Sequence, residues 1–141
     1  MAYFGKRSER VLAECHRDLV RVARDVVQIF DCAAVEGHRE KAKQDYYYQT
    51  GRSKVRWPNS AHNRSPSWAI HLVPYPIDWS DRDRFHYFAG YVMCIAQELG
   101  VALRWGGDWD RDQQTRDNRF DDLAHFELVG PKPGLRGLPQ S

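Results

Sequence analysis

His62, His71 and His125 are the side chains of this sequence best suited to chemistry. His62 ends Ser60-Ala61-His62, and His71 lies in Ala69-Ile70-His71-Leu72-Val73-Pro74. His125 lies in Asp122-Leu123-Ala124-His125-Phe126-Glu127-Leu128. The first two can come from one loop-and-strand segment, and the third from a distant strand that closes beside it. Three protein ligands with a fourth position open to water is the arrangement that holds a catalytic zinc. Asp122 sits three residues before His125, in the turn that leads into the last strand. A carboxylate there can take a proton from water whose pKa a zinc ion lowers only to about 7. His125 and Glu127 share one strand face, because strand side chains alternate. Each residue also has a plainer reading. A lone strand histidine is ordinarily a hydrogen-bonded core residue, and an aspartate before a strand ordinarily caps a turn.

Helices and strands must bring these groups together. Leu12, Cys15, Leu19, Val22, Val26 and Ile29 recur at helical spacing and predict a helix from a Ser8 cap to about Phe30. Ala33-Ala34-Val35 predicts a short strand, and Glu40 to Gln49 a helix stopped by Gly51. Residues 52–66 read as a loop, and Trp68 to Val73 as a buried strand ended by Pro74 and Pro76. A third helix opens after Asp78-Trp79-Ser80, capped by Ser80 or Asp81. Its apolar face runs from Phe85 to Leu99, and Gly100 ends it. Val101 to Trp105 predicts a strand broken by Gly106-Gly107, and Asp110 to Asp121 a charged loop. Phe126 to Val129 predicts the last strand. The irregular order of helices and strands points to an α+β single domain, a small antiparallel sheet flanked by helices with the metal site on the sheet.

The chain has 141 residues, 42% hydrophobic, with five Trp, and is long enough to bury a core without disulfide staples. The formal charge of +2, with acids and bases interleaved as in Asp81-Arg82-Asp83-Arg84, argues against non-specific nucleic-acid binding. Cys15, Cys32 and Cys94 contain no C-x-x-C pair, so a structural zinc knuckle is not expected and packed thiols are. No apolar run of about 18 residues marks a membrane span, and the start of the chain lacks the apolar region of a secretory signal. Residues 1–130 are expected to form the domain, and the Pro/Gly-rich residues 131–141 a tail.

Several segments together resemble one known family. The chain is similar to the zinc peptidases that include bacterial D-alanyl-D-alanine dipeptidases and carboxypeptidases, most of all to the phage L-alanyl-D-glutamate endolysins. Ser60-Ala61-His62, Ala69-Ile70 and Asp122-x-x-His125 occupy the places of that family's Ser-x-His, Ala-x-Asp and acid-x-x-His. Matching pieces include Phe4-Gly5-Lys6-x-Ser8, Gly37-x-Arg39, Gln44, Pro74-Tyr75, Leu103 to Trp109 and His125-Phe126-Glu127-Leu128. The resemblance spans about residues 4–130, nearly the whole chain.

The resemblance implies one zinc ion held by His62, His71 and His125, with Asp122 as general base and then acid. It implies that Arg39 stabilises the oxyanion, and that Ser60 and Gln44 contact substrate. Without it, Arg39 would be read as an ion-pair partner of Glu36 or Glu40, and Ser60 as a turn cap. Tyr46, Tyr47 or Tyr48 is expected on a cleft wall, Trp105 and Trp109 under the site floor, and Asp108 behind a ligand imidazole. The implied activity is hydrolysis of peptidoglycan stem peptides, favouring the L-Ala–D-Glu bond. A monomeric phage or prophage endolysin of this kind gathers in the host cytoplasm and reaches the cell wall through a holin-made lesion. The family's second ligand is normally Asp, where this chain has His71. Three outcomes are open: His71 binds zinc, its longer side chain shifts the metal and lowers activity, or it does not bind and the variant is weak or dead. Rival readings are a D,D-carboxypeptidase or dipeptidase, and a non-catalytic zinc-binding module. A calcium site in Asp110 to Asp117 is a weak rival, lacking the Gly and terminal Glu of an EF-hand.

Overall fold

The continuous apolar stripe from Leu12 to Ile29 is divided in the folded chain. The computed structural model describes residues 2–116 and 120–130. In it α1 spans Lys6–Leu12 and α2 spans Arg17–Ile29. Bonds to a segment far along the chain make the break. The Ser67 N–H donates to Glu14 O, and the His16 N–H to Ser67 O, each at 2.8 Å. His16 then restarts the helix, its Nδ1 accepting from the Asp18 N–H at 3.0 Å. Tertiary pairing here outweighs helix propensity. Ser8 is not a cap but a buried residue inside α1, whose Oγ accepts from the Ala34 N–H at 3.1 Å.

The remaining elements are β1 (Cys32–Glu36), α3 (Lys41–Gln49), a 3-10 turn (Ala61–Asn63), β2 (Ala69–Pro74), α4 (Arg82–Glu98), β3 (Leu103–Gly106) and β4 (Asp122–Leu128). Asp81 caps α4, its Oδ1 accepting from the Arg84 N–H at 3.2 Å, while Ser80 bonds to Asp78 instead. Gly51 follows α3 at φ +81°, a left-handed turn that suits glycine. This turn lets the Arg52 N–H reach back to Tyr47 O at 2.8 Å. The last strand begins at Asp122 rather than Phe126, because Asp122 already pairs with Gly106 of β3. A Cβ on Gly106 would strike the Asp122 backbone, so the approach requires glycine.

The strands form one antiparallel sheet in the order β1-β2-β4-β3. The α+β architecture expected from the sequence is the observed one. Ile70 and Leu72 of β2 and Phe126 of β4 are fully buried in the hydrophobic core with residues of α2 and α4. Phe88 of α4 meets Phe126 edge-on, with ring centroids 6.4 Å apart. Each such side chain contributes about 1.5–3 kcal/mol by leaving water. Register places Glu36 opposite His71, and His71 opposite His125. Three neighbouring strands thus contribute one polar row.

Among the described residues no helix is long and apolar enough to cross a membrane. Cys15 and Cys32 are buried, and burial pushes both thiols up to about 12. Cys94 is exposed on α4, contrary to the expectation of a packed thiol. The expected tail at 131–141 lies outside the described residues.

Candidate metal centre

Three imidazoles converge at one end of the polar row. His71 comes from β2 and His125 from β4, opposite one another. His62 comes from the 3-10 turn, which Ser60 caps by accepting the His62 N–H at 3.2 Å. The His62 carbonyl accepts the Arg39 N–H at 2.8 Å, which ties the turn to the chain after β1. One nitrogen of each ring faces a common point, the three atoms lying within 4.8 Å of one another. His62 Nε2 is 3.2 Å from His125 Nδ1, which is 3.4 Å from His71 Nε2. Two nitrogens on one tetrahedral zinc, each about 2.0–2.1 Å from it, would be about 3.3–3.4 Å apart. Two of the three nitrogen pairs therefore already stand at the spacing such an ion requires.

The outward nitrogens are held as well. His62 Nδ1 lies 2.6 Å from the Gly37 carbonyl, and His125 Nε2 lies 2.8 Å from Glu127 Oε1. His71 Nδ1 faces Glu36 Oε1 at 3.7 Å. An outward N–H given to an acceptor leaves the inward nitrogen with its lone pair, the state that a metal needs. Burial, then the charges of His71, Arg39 and His125, holds His62 well below the ordinary histidine range. Burial would raise Glu127, but the His125 bond and Arg104, 2.7 Å away, outweigh it and keep the carboxyl ionised.

Asp122 stands beside the centre, its Oδ2 3.4 Å from His71 Nε2. Burial raises its carboxyl, but His71, His125 and Arg39 together hold it well below the usual carboxylate range. With a side chain 31% exposed, it is within reach of solvent. A cleft of about 680 Å³ opens here, lined by Glu36, Arg39, His71, Asp122, Tyr47 and Trp79 among others. Arg39 is 5% exposed and forms a buried ion pair with Glu36 at 2.6 Å. Its Nη1 donates to Gln44 Oε1 at 2.9 Å. Among the described residues its buried Nε has no hydrogen-bond partner.

Two expected substrate contacts are not placed at the cleft. Gln44 is fully buried, its amide bonded to Arg39, Ser53 and the Val55 carbonyl, so it holds the arginine. Ser60 is fully buried in its capping role. Asp108 does not back an imidazole; it accepts the N–H groups of Asp112 and Gln113, and Asp108, Asp110 and Asp112 gather at the surface. Asp117 of that segment lies outside the described residues. The group behind His125 is Glu127, whose position two residues on along the same strand was the available signal. Of the three tyrosines, Tyr47 lines the cleft. Trp109 packs on His125 with ring centroids 5.2 Å apart, while Trp105 is buried and bonds to the Leu123 carbonyl at 2.8 Å. The Gly37 carbonyl behind His62 had no side-chain signal to disclose it.

Fold and site together define a small α+β protein in which three histidines that could hold a metal ion stand beside an ionised carboxylate. The sequence model of the phage L-alanyl-D-glutamate peptidase family matches residues 1–129, and the chain belongs to that family. It is 31% identical over 135 residues to the L-alanyl-D-glutamate peptidase of Escherichia phage T5, an alignment covering 89% of this chain and 97% of that one. It is also similar to the crystal structure of the Serratia marcescens L-Ala D-Glu endopeptidase ChiX, with a TM-score of 0.71 and 28% identity over 90% of each chain. The resemblance drawn from the motifs is borne out.

Proposed function

We propose that this protein is a zinc-dependent peptidoglycan endopeptidase that cuts the stem peptide between L-Ala and D-Glu, as a phage or prophage endolysin. The observation that carries this reading is the convergence of His62, His71 and His125 beside ionised Asp122. A zinc ion held by the three imidazoles would lower the pKa of water to about 7 and polarise the scissile carbonyl.

The chain's own groups then divide the work. Asp122 takes a proton from the attacking water on its carboxylate and returns it to the departing D-Glu nitrogen. Arg39 lines the cleft, and its positive charge suits a carbonyl oxygen gaining negative charge. Glu36 and Gln44 hold the guanidinium in place. Glu127 and the Gly37 carbonyl fix the orientation of two imidazoles. The protein acts as a monomer and relies on a holin-made lesion to reach the wall.

Purified stem peptide digested by the protein and read by mass spectrometry tests the reading. A new amino terminus at D-Glu is the expected product. Release of terminal D-Ala with the L-Ala–D-Glu bond intact would overturn it in favour of a D,D-carboxypeptidase.

A further inference from the structure

The wall of the cleft formed by α3 and the turn after it is cationic. Tyr47 presents its ring to three cations: Arg39 at 4.6 Å, Arg52 at 5.4 Å and Lys43 at 5.5 Å from the centroid. All four residues line the same cleft as His71 and Asp122. Two of the cations already have a carboxylate. Glu36 Oε1 takes Arg39, and Glu36 Oε2 takes Lys43, each at 2.6 Å. Of the other acids on the cleft, Asp121 pairs with Arg82, and Asp122 stands against His71. Arg52 is the lining cation with no ion pair among the described residues. Its backbone is pinned by the bond from its N–H to Tyr47 O, and its side chain is exposed.

The bond assigned above has a matching charge. A glutamate within a peptide uses one carboxyl to continue the chain and keeps the other free. The free carboxylate therefore lies within a few bonds of the nitrogen released by the cut. It must enter this cleft whenever the scissile carbonyl meets the metal centre. We propose that Arg52, stacked on Tyr47, binds this free carboxylate and makes the enzyme selective for D-Glu over its amide. A guanidinium matches a carboxylate in both charge and planar fork geometry, whereas a carboxamide offers neither charge nor a second acceptor. Arg52 is a specificity-determining residue in this scheme, and the scheme rests on the L-Ala–D-Glu reading above.

The test compares two synthetic stem peptides, identical except that the free carboxyl of D-Glu is either an acid or a primary amide. Hydrolysis by wild type, Arg52→Gln and Arg52→Lys is followed by chromatography to give kcat and KM. The wild type is expected to prefer the acid by about tenfold or more in kcat/KM, as a charge-assisted hydrogen bond allows. Arg52→Gln is expected to erase that preference through a higher KM for the acid, and Arg52→Lys to restore part of it. A wild type indifferent to the two peptides overturns the assignment, as does an Arg52→Gln variant that loses equally on both. If the wild type cuts neither peptide at this bond, the functional reading itself falls and takes this assignment with it.

Discussion

His125 Nε2 and Glu127 Oε1 lie 2.8 Å apart, with both side chains 1% exposed. Two positions apart on β4, they point the same way, so one strand supplies both a ligand-type nitrogen and the acceptor that orients it. Glu127→Gln keeps the shape and removes the charge. It is expected to weaken zinc binding by about tenfold, within the range known for such outer partners. Competition against a chromophoric chelator measures this. An unaltered affinity would leave Glu127 a purely structural role, through bonds such as that to Arg104.

His71→Ala is expected to lose bound zinc, because one of three converging nitrogens disappears. His71→Asp is expected to retain it, since a carboxylate is also a good zinc ligand. Metal analysis after gel filtration decides the matter. Zinc content in His71→Ala equal to wild type would remove His71 from the ligand set.

Asp122→Asn conserves the side-chain volume but cannot accept a proton. Stem-peptide hydrolysis is expected to fall about 10²–10⁴-fold while zinc content holds. Near-wild-type hydrolysis by this variant would mean that another group serves as the base.

Glu36 ties stability to acid pH. Burial raises its carboxyl, but the Arg39 bond, His71 and Lys43 outweigh burial and bring it down to about 2 from an ordinary 4.5. The unfolded chain therefore takes up this proton first as pH falls. Stabilisation by Glu36 is complete above about 4.5 and is lost as pH falls towards 2. Thermal midpoints of wild type and Glu36→Gln should differ clearly at pH 6 and approach one another at pH 3. A gap independent of pH would show that the charge on Glu36 is not its source.

Much of this molecule was legible from local pattern. The strand at Ala69–Pro74 and the helix at Arg82–Glu98 stand close to where periodicity and turn residues put them. The three histidines and Asp122 were visible by residue type and spacing. What escaped depended on partners far along the chain. The break between α1 and α2 is made by Ser67, and the early start of β4 by Gly106, so nearby residues do not disclose either. Ser60 and Gln44 looked like substrate contacts, because a polar side chain near a site reads the same in sequence whether it faces the cleft or lies beneath it. Burial separates the two cases, and it emerges only once the chain has folded.

His62 and His125 are 63 positions apart in the chain, and His71 and His125 are 54 apart. An ion bound by all three is thus also a reversible cross-link that closes long loops, and the entropy of loop closure rises with loop length. Because it binds the folded form, it adds about 4 kcal/mol when free metal is a thousandfold above its dissociation constant. Starvation for metal would then do more than silence the chemistry. It would loosen the seam between β2 and β4 and expose the chain to proteolysis, so metal supply would govern how long the molecule lasts as well as how fast it works.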